Sequence, residues 1–158
     1  MCLILFACNG DDGLLDPINN TPDPNVIFAS PCENGTAGNY PCDGYGLVGH
    51  ISLTEMNASR GNDSWGWVDP STQKEYAIMG LNNGTAFIDI SDAENITLLG
   101  ILPTQTQSSN WRDIKVYQNY AFIVSEAAGH GMQVFDLTKL RNVNNPPVSF
   151  TADAHYDG

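Results

Sequence analysis

The chain has 158 residues, 42% hydrophobic and 15% charged, which is enough for one ordinary domain with polar loops. Eighteen acidic residues against six basic ones leave a formal charge of −12. A polyphosphate partner would be repelled by that field, so nucleic acid is excluded as an expected ligand.

The first eight residues, Met1-Cys2-Leu3-Ile4-Leu5-Phe6-Ala7-Cys8, form an apolar run closed by a cysteine. The run resembles the end of a bacterial lipoprotein signal, in which Cys8 would carry the lipid. It is short for a whole signal and no basic residue precedes the apolar stretch, so residues 1–8 read as a partial signal. The pair Asp11-Asp12 resembles the surface-export signal that follows the lipidated cysteine in such proteins. Residues 9–31, rich in Asp, Asn and Pro, read as a flexible tether. No other segment approaches the roughly 18 apolar residues of a membrane span. Membrane contact is therefore expected only through the lipid.

Cys32 and Cys42 stand ten positions apart in a stretch rich in Gly and Asn. In an oxidising compartment such a pair suits a disulfide. A zinc site is the alternative, although Cys-x9-Cys lacks a neighbouring His pair.

From residue 64 onward the chain repeats itself. Tyr76-Ala77-Ile78-Met79-Gly80 matches Tyr120-Ala121-Phe122-Ile123-Val124, 44 positions on. Gly84-Thr85-Ala86-Phe87-Ile88-Asp89 matches Gly131-Met132-Gln133-Val134-Phe135-Asp136 at an offset of 47. Ser64-Trp65 matches Asn110-Trp111 at an offset of 46. Three blocks in one order at nearly one offset mark a structural repeat.

Each copy reads as strands. In the second, Asp113 to Tyr117 alternates polar and apolar, and Gln118-Asn119 supplies a tight turn. Tyr120 to Ser125 is a continuous apolar run suited to a strand buried on both faces. Gly129-His130-Gly131 makes a loop, and Met132 to Leu137 a third strand. Beyond the segment Asn142 to Pro147, Val148 to Ala152 is expected to be the fourth. Four short antiparallel strands in about 45 residues match one propeller blade. The expected fold is all-β: a partial β-propeller of about two four-stranded blades over residues 32–158, with an N-terminal extension. Two blades cannot close a propeller, so a truncated chain is expected.

The repeat core resembles the LVIVD repeat. The wider set resembles the choice-of-anchor B family of exported bacterial proteins: Asn34-Gly35-Thr36-Ala37 with Tyr40-Pro41-Cys42, Ser64-Trp65-Gly66-Trp67, Trp111-Arg112-Asp113-Ile114-Lys115-Val116 and His130-Gly131-Met132-Gln133-Val134-Phe135-Asp136-Leu137. The resemblance runs from about Cys32 to the end. It implies a propeller-like domain displayed on the cell surface, and carries no catalytic residues with it.

Trp111, Arg112 and Asp113 form the leading candidate constellation. Arg112 or Asp113 binds a ligand if it points into a central channel; otherwise an Arg–Asp pair locks neighbouring blades with Trp111 packing over it. Glu126 and His130 could bind a metal or ligand from the Gly-His-Gly loop; otherwise the glycines serve a tight turn that the imidazole caps. His155 with Asp153 and Asp157 could belong to another site. Trp65 and Trp67 read as packing between blades or as a sugar platform. Asp89, Asp92 and Glu94 hint at calcium, but Lys139 replaces the trailing acids in the second copy. Asp89 and Asp136 therefore read as turn caps, and no metal or other cofactor is called for.

No Gly-x-Ser-x-Gly elbow and no phosphate-cradling loop is present. The expected role is a non-enzymatic, surface-exposed, lipid-anchored module that binds a protein or a glycan. A secreted hydrolase or lyase, its site completed by further blades, is the alternative.

Overall fold

A computed structural model describes residues 3–4 and 30–157. Cys8 and nearly all of the signal and tether lie outside the described residues. Two compact units emerge. In the smaller, residues 30–50 with 92–95, Thr36–Ala37 pairs antiparallel with Tyr40–Pro41. Cys32 and Cys42 are bonded to each other across this hairpin, with Cα atoms 5.9 Å apart, so the disulfide holds and the zinc alternative falls. Tyr40 Oη lies 3.0 Å from His50 Nε2.

The larger unit, residues 51–91 and 96–157, carries the repeat as two sheets. The first holds β1 (Gly61–Val68), β2 (Glu75–Leu81), β3 (Gly84–Asp89) and β4 (Thr97–Pro103). The second begins with β5 (Arg112–Tyr117), β6 (Tyr120–Ser125) and β7 (Met132–Asp136). All these neighbours pair antiparallel, and no sheet closes into a barrel. The fold is all-β.

The repeat has a physical basis in cross-strand register. Tyr76 stands opposite Asp89, and Tyr120 stands opposite Asp136. Both acids then turn the chain as expected: Asp89 Oδ1 accepts from Ser91 N and Oγ, and Asp136 Oδ1 from Thr138 N and Oγ1. Gln118, with φ 53°, makes the tight β5–β6 turn.

Three expectations need correction. Val148 to Ala152 is not the fourth strand of the second sheet. Instead β8 (Val148–Ser149) pairs parallel with β4 and extends the first sheet, while β9 (Ala154–Tyr156) pairs with β7. Gly100 permits this, because a Cβ there would collide with the Val148 carbonyl and the Phe150 ring. Second, Trp65 and Trp111 are not equivalent: Trp67 faces Tyr76 while Tyr117 faces Tyr120, so the first strands correspond at an offset of 50. The connection between these pairs, eight residues in the first sheet against two in the second, absorbs the difference. Third, the strand buried on both faces is β2, not β6; Tyr120 and Val124 are each 41% exposed.

The sheets pack through Tyr76, Ile78 and Phe87 of the first against Ile114, Ala121, Ile123 and Phe135 of the second. Phe87 stacks on Phe135 at 4.5 Å between centroids, and Phe150 meets both edge-on at 5.5 and 5.0 Å. Trp67 stacks on Tyr76 inside this core, whereas Trp65 is exposed with Lys115 Nζ 4.4 Å above its ring. A 3-10 helix, Leu137–Asn142, carries Arg141 to the first sheet. Its guanidinium grips both oxygens of buried Asp69 at 2.7 Å. The Arg141 hydrogen bond, with help from Ser71 and Thr72, holds the Asp69 carboxyl well below the usual carboxylate range.

Candidate functional site

Alternation along β5 decides where the leading constellation points. Arg112 and Asp113 are consecutive strand residues, so their side chains leave opposite faces of the sheet. Arg112 turns inward and is 1% exposed. Its Nε donates to the Leu81 carbonyl (3.0 Å), Nη2 to Thr104 Oγ1 (2.8 Å), and Nη1 lies 2.9 Å from His130 Nε2. Burial pushes the guanidinium down to about 10, so it remains a cation, held by neutral acceptors.

His130 is fully buried beside it. Nδ1 sits 3.0 Å from the Gly131 carbonyl, so Nδ1 carries the proton and Nε2 accepts from Arg112. Burial first, then the charge on Arg112, pushes the imidazole below its ordinary value, against the Gly131 carbonyl. A histidine lowered in the fold stays neutral while the unfolded chain protonates near pH 6.5. Stability is therefore expected to fall as pH drops below about 6.5, and Asp69 adds a second loss below about pH 4. Denaturation midpoints across pH 4–8 check this. His130→Gln, which keeps an acceptor for Arg112, should remove the first stage and leave the second.

The structure thus brings Arg112 and His130 together, in the interior. Trp111 (61% exposed), Arg112, Asp113 and Glu126 also line a hollow of about 180 Å³, with Asn62, Val124 and Ser125, and His130 takes no part in it. The Glu126 N–H donates to the Trp111 carbonyl at 3.3 Å, so the two residues face each other across the end of the β5–β6 ladder. Glu126 and His130 do not form the joint site expected of them. The Arg112–Asp113 pair does not form either, and Trp111 covers no such pair. Among the described residues, no three His, Cys, Asp or Glu side chains gather as a metal site.

A larger hollow, about 410 Å³, is tied to the Arg112–His130 pair through Thr104, which accepts from Arg112, and His155, which bonds the His130 carbonyl. Thr104, Gln133, Phe150, Asp153 and His155 line it. Gln133 and His155 are direct cross-strand partners on β7 and β9. Gln133 is buried, gives its Nε2 proton to the Pro103 carbonyl (3.0 Å), and has no partner for Oε1. His155 Nε2 donates to the His130 carbonyl at 2.6 Å. Asp153 is committed to structure: Oδ2 accepts the Asp136 N–H at 2.7 Å, and Oδ1 pairs with Lys139 at 2.5 Å. The trio of His155, Asp153 and Asp157 is therefore only partly realised. Sequence reasoning missed Thr104, Gln133 and Phe150 here. A buried Gln where the first copy has Ala86 was the available signal.

No family model matches the chain, and no curated protein or solved structure matches it. The functional reading rests on the residues themselves.

Proposed function

We propose that this chain is part of a propeller-like array, held outside the cell by a lipid on Cys8, and that it binds a glycan without transforming it. The observation that carries this reading is the 410 Å³ hollow, within the roughly 300–1,000 Å³ range of small-molecule sites. One wall is the Phe150 ring, suited to the apolar face of a sugar. Thr104, Gln133 and His155 offer hydroxyl, amide and imidazole groups of the kind that sort sugar hydroxyls. Arg112 stands behind this wall and holds Thr104 in place. The resemblance to exported LVIVD-repeat proteins agrees with display on a surface.

The hydrolase or lyase reading gains no such support. Arg112 and His130, which it would need, are 1% and 0% exposed and occupied with each other. A glycan array with the intact chain, followed by calorimetry on the best-bound oligosaccharide, tests the proposal. Gln133→Leu keeps the side-chain volume and should weaken binding about tenfold, the worth of roughly 1.4 kcal/mol. Trp111→Ala should leave the affinity unchanged. Oligosaccharide shortened on incubation would mean an enzyme, and a loss confined to Trp111→Ala would move the site to the smaller hollow.

A further inference from the structure

The two sheets stack head to tail, and the repeat makes the consequence explicit. In the first sheet, Tyr76, Ile78 and Phe87 are buried under the second sheet. In the second sheet, Tyr120, Phe122 and Val134 hold the same places by register. There Tyr120 is 41% exposed, and Phe122 and Val134 are only half-buried. Tyr117, 69% exposed, and Val124 widen the same apolar face. Among the described residues, nothing covers it as the second sheet covers the first.

A polar contact makes the same point independently. The first strands correspond at an offset of 50 from Ser64 on. Asp63 lies in the bulge just before it, against Gly80. The counterpart of Gly80, Val124, faces Asp113, so Asp113 takes the place of Asp63. Asp63 Oδ2 accepts the Ile114 N–H at 2.8 Å from the outer edge of β5, and Lys115 Nζ lies 3.8 Å from the same oxygen. It is the latch by which the first sheet holds the second. Asp113 is exposed, and its carboxylate has no partner among the described residues.

We propose that the outer face of the second sheet is a docking surface for a further unit of this same repeat. Asp113 accepts a backbone N–H from the first strand of the incoming unit, as Asp63 does from β5. The occupant presents a face like that of Ala121, Ile123 and Phe135, and a lysine following the latched residue as Lys115 follows Ile114. A second copy of this chain does not fit, because the matching face of its first sheet (Ala77, Met79, Leu81, Ala86 and Ile88) is already buried. The inference rests on the propeller-like array proposed above. It is independent of what the hollow binds.

The test extends the intact chain after Tyr156 by a second copy of residues 104–156. In the parent chain, Asp63→Ala should lower Tm by about 3–6 °C, and Asp113→Ala should leave it unchanged. In the extended chain, Asp113→Ala should lower Tm by as much as Asp63→Ala does in the parent. Binding of an apolar dye, present in the parent and suppressed there by Phe122→Asp, should disappear on extension by a copy that itself carries Phe122→Asp, since the outer face of the added copy stays open. An extended chain that still binds the dye, or whose added unit stays unfolded, overturns the docking surface. An extended chain indifferent to Asp113→Ala overturns the latch. Glycan binding should survive Asp113→Ala in either chain, so its loss through Gln133→Leu reports on the other proposal alone.

Discussion

Replacing Arg112 with alanine is expected to cost about 3–5 kcal/mol of stability, a Tm drop of roughly 10 °C. Two effects oppose each other at this site. Burying a cation without a carboxylate partner is unfavourable, so its removal relieves a desolvation cost. Against that, the guanidinium serves the Leu81 carbonyl, Thr104 and His130 at once. Each buried acceptor left unmet costs about 1–3 kcal/mol, and the lost aliphatic stem leaves a void between the sheets. The unmet acceptors and the void win. Urea denaturation at pH 7 should show a lower midpoint with an unchanged slope. Arg112→Met, which restores the stem alone, should recover only part of the loss. A change under 1 kcal/mol for the alanine variant would mean that relief of the burial cost outweighs the lost contacts.

Phe135→Ala is expected to be comparably damaging, at about 3–5 kcal/mol. The ring is fully buried and touches Phe87 and Phe150, so its removal opens the joint between the sheets and breaks two aromatic contacts. Tyr117→Ala provides the contrast. That ring is 69% exposed, and its loss should change stability by less than about 0.5 kcal/mol. Parallel urea titrations decide the matter. Equal effects would show that the outer face is covered in solution.

The repeat was the most legible feature of the sequence, because it is written in hairpin register. Tyr76 with Asp89 and Tyr120 with Asp136 are the same cross-strand pair made twice, and the three extra residues fall in the β6–β7 loop. The turn at Gln118 and the caps at Asp89 and Asp136 were readable for local reasons. The parallel pairing of β8 with β4 was not. Val148 to Ala152 has the pattern of a strand, but the choice of partner sheet depends on Gly100, some 48 positions earlier. Ala154–Tyr156 carries no strand pattern at all, since every residue in it is exposed.

The candidate site was legible only in part. Trp111, Arg112 and Asp113 lie at one end of β5 as expected, yet period-two alternation already forbade Arg112 and Asp113 a common face. Asp63 acts between the sheets, and the same role is the one proposed for Asp113. The hollow escaped notice because Thr104, Gln133, Phe150 and His155 come from distant parts of the chain, brought together only when the sheets pack.

The clip of β8 onto β4 also governs the order in which this molecule can be made. The strand that finishes the first sheet is encoded after β7, so a nascent chain emerging residue by residue holds that sheet unfinished until about residue 149 has emerged. Neither sheet can then be released alone. Slow amide exchange in β3 and β4 should share one opening free energy with that in β6 and β7, as a single cooperative unit.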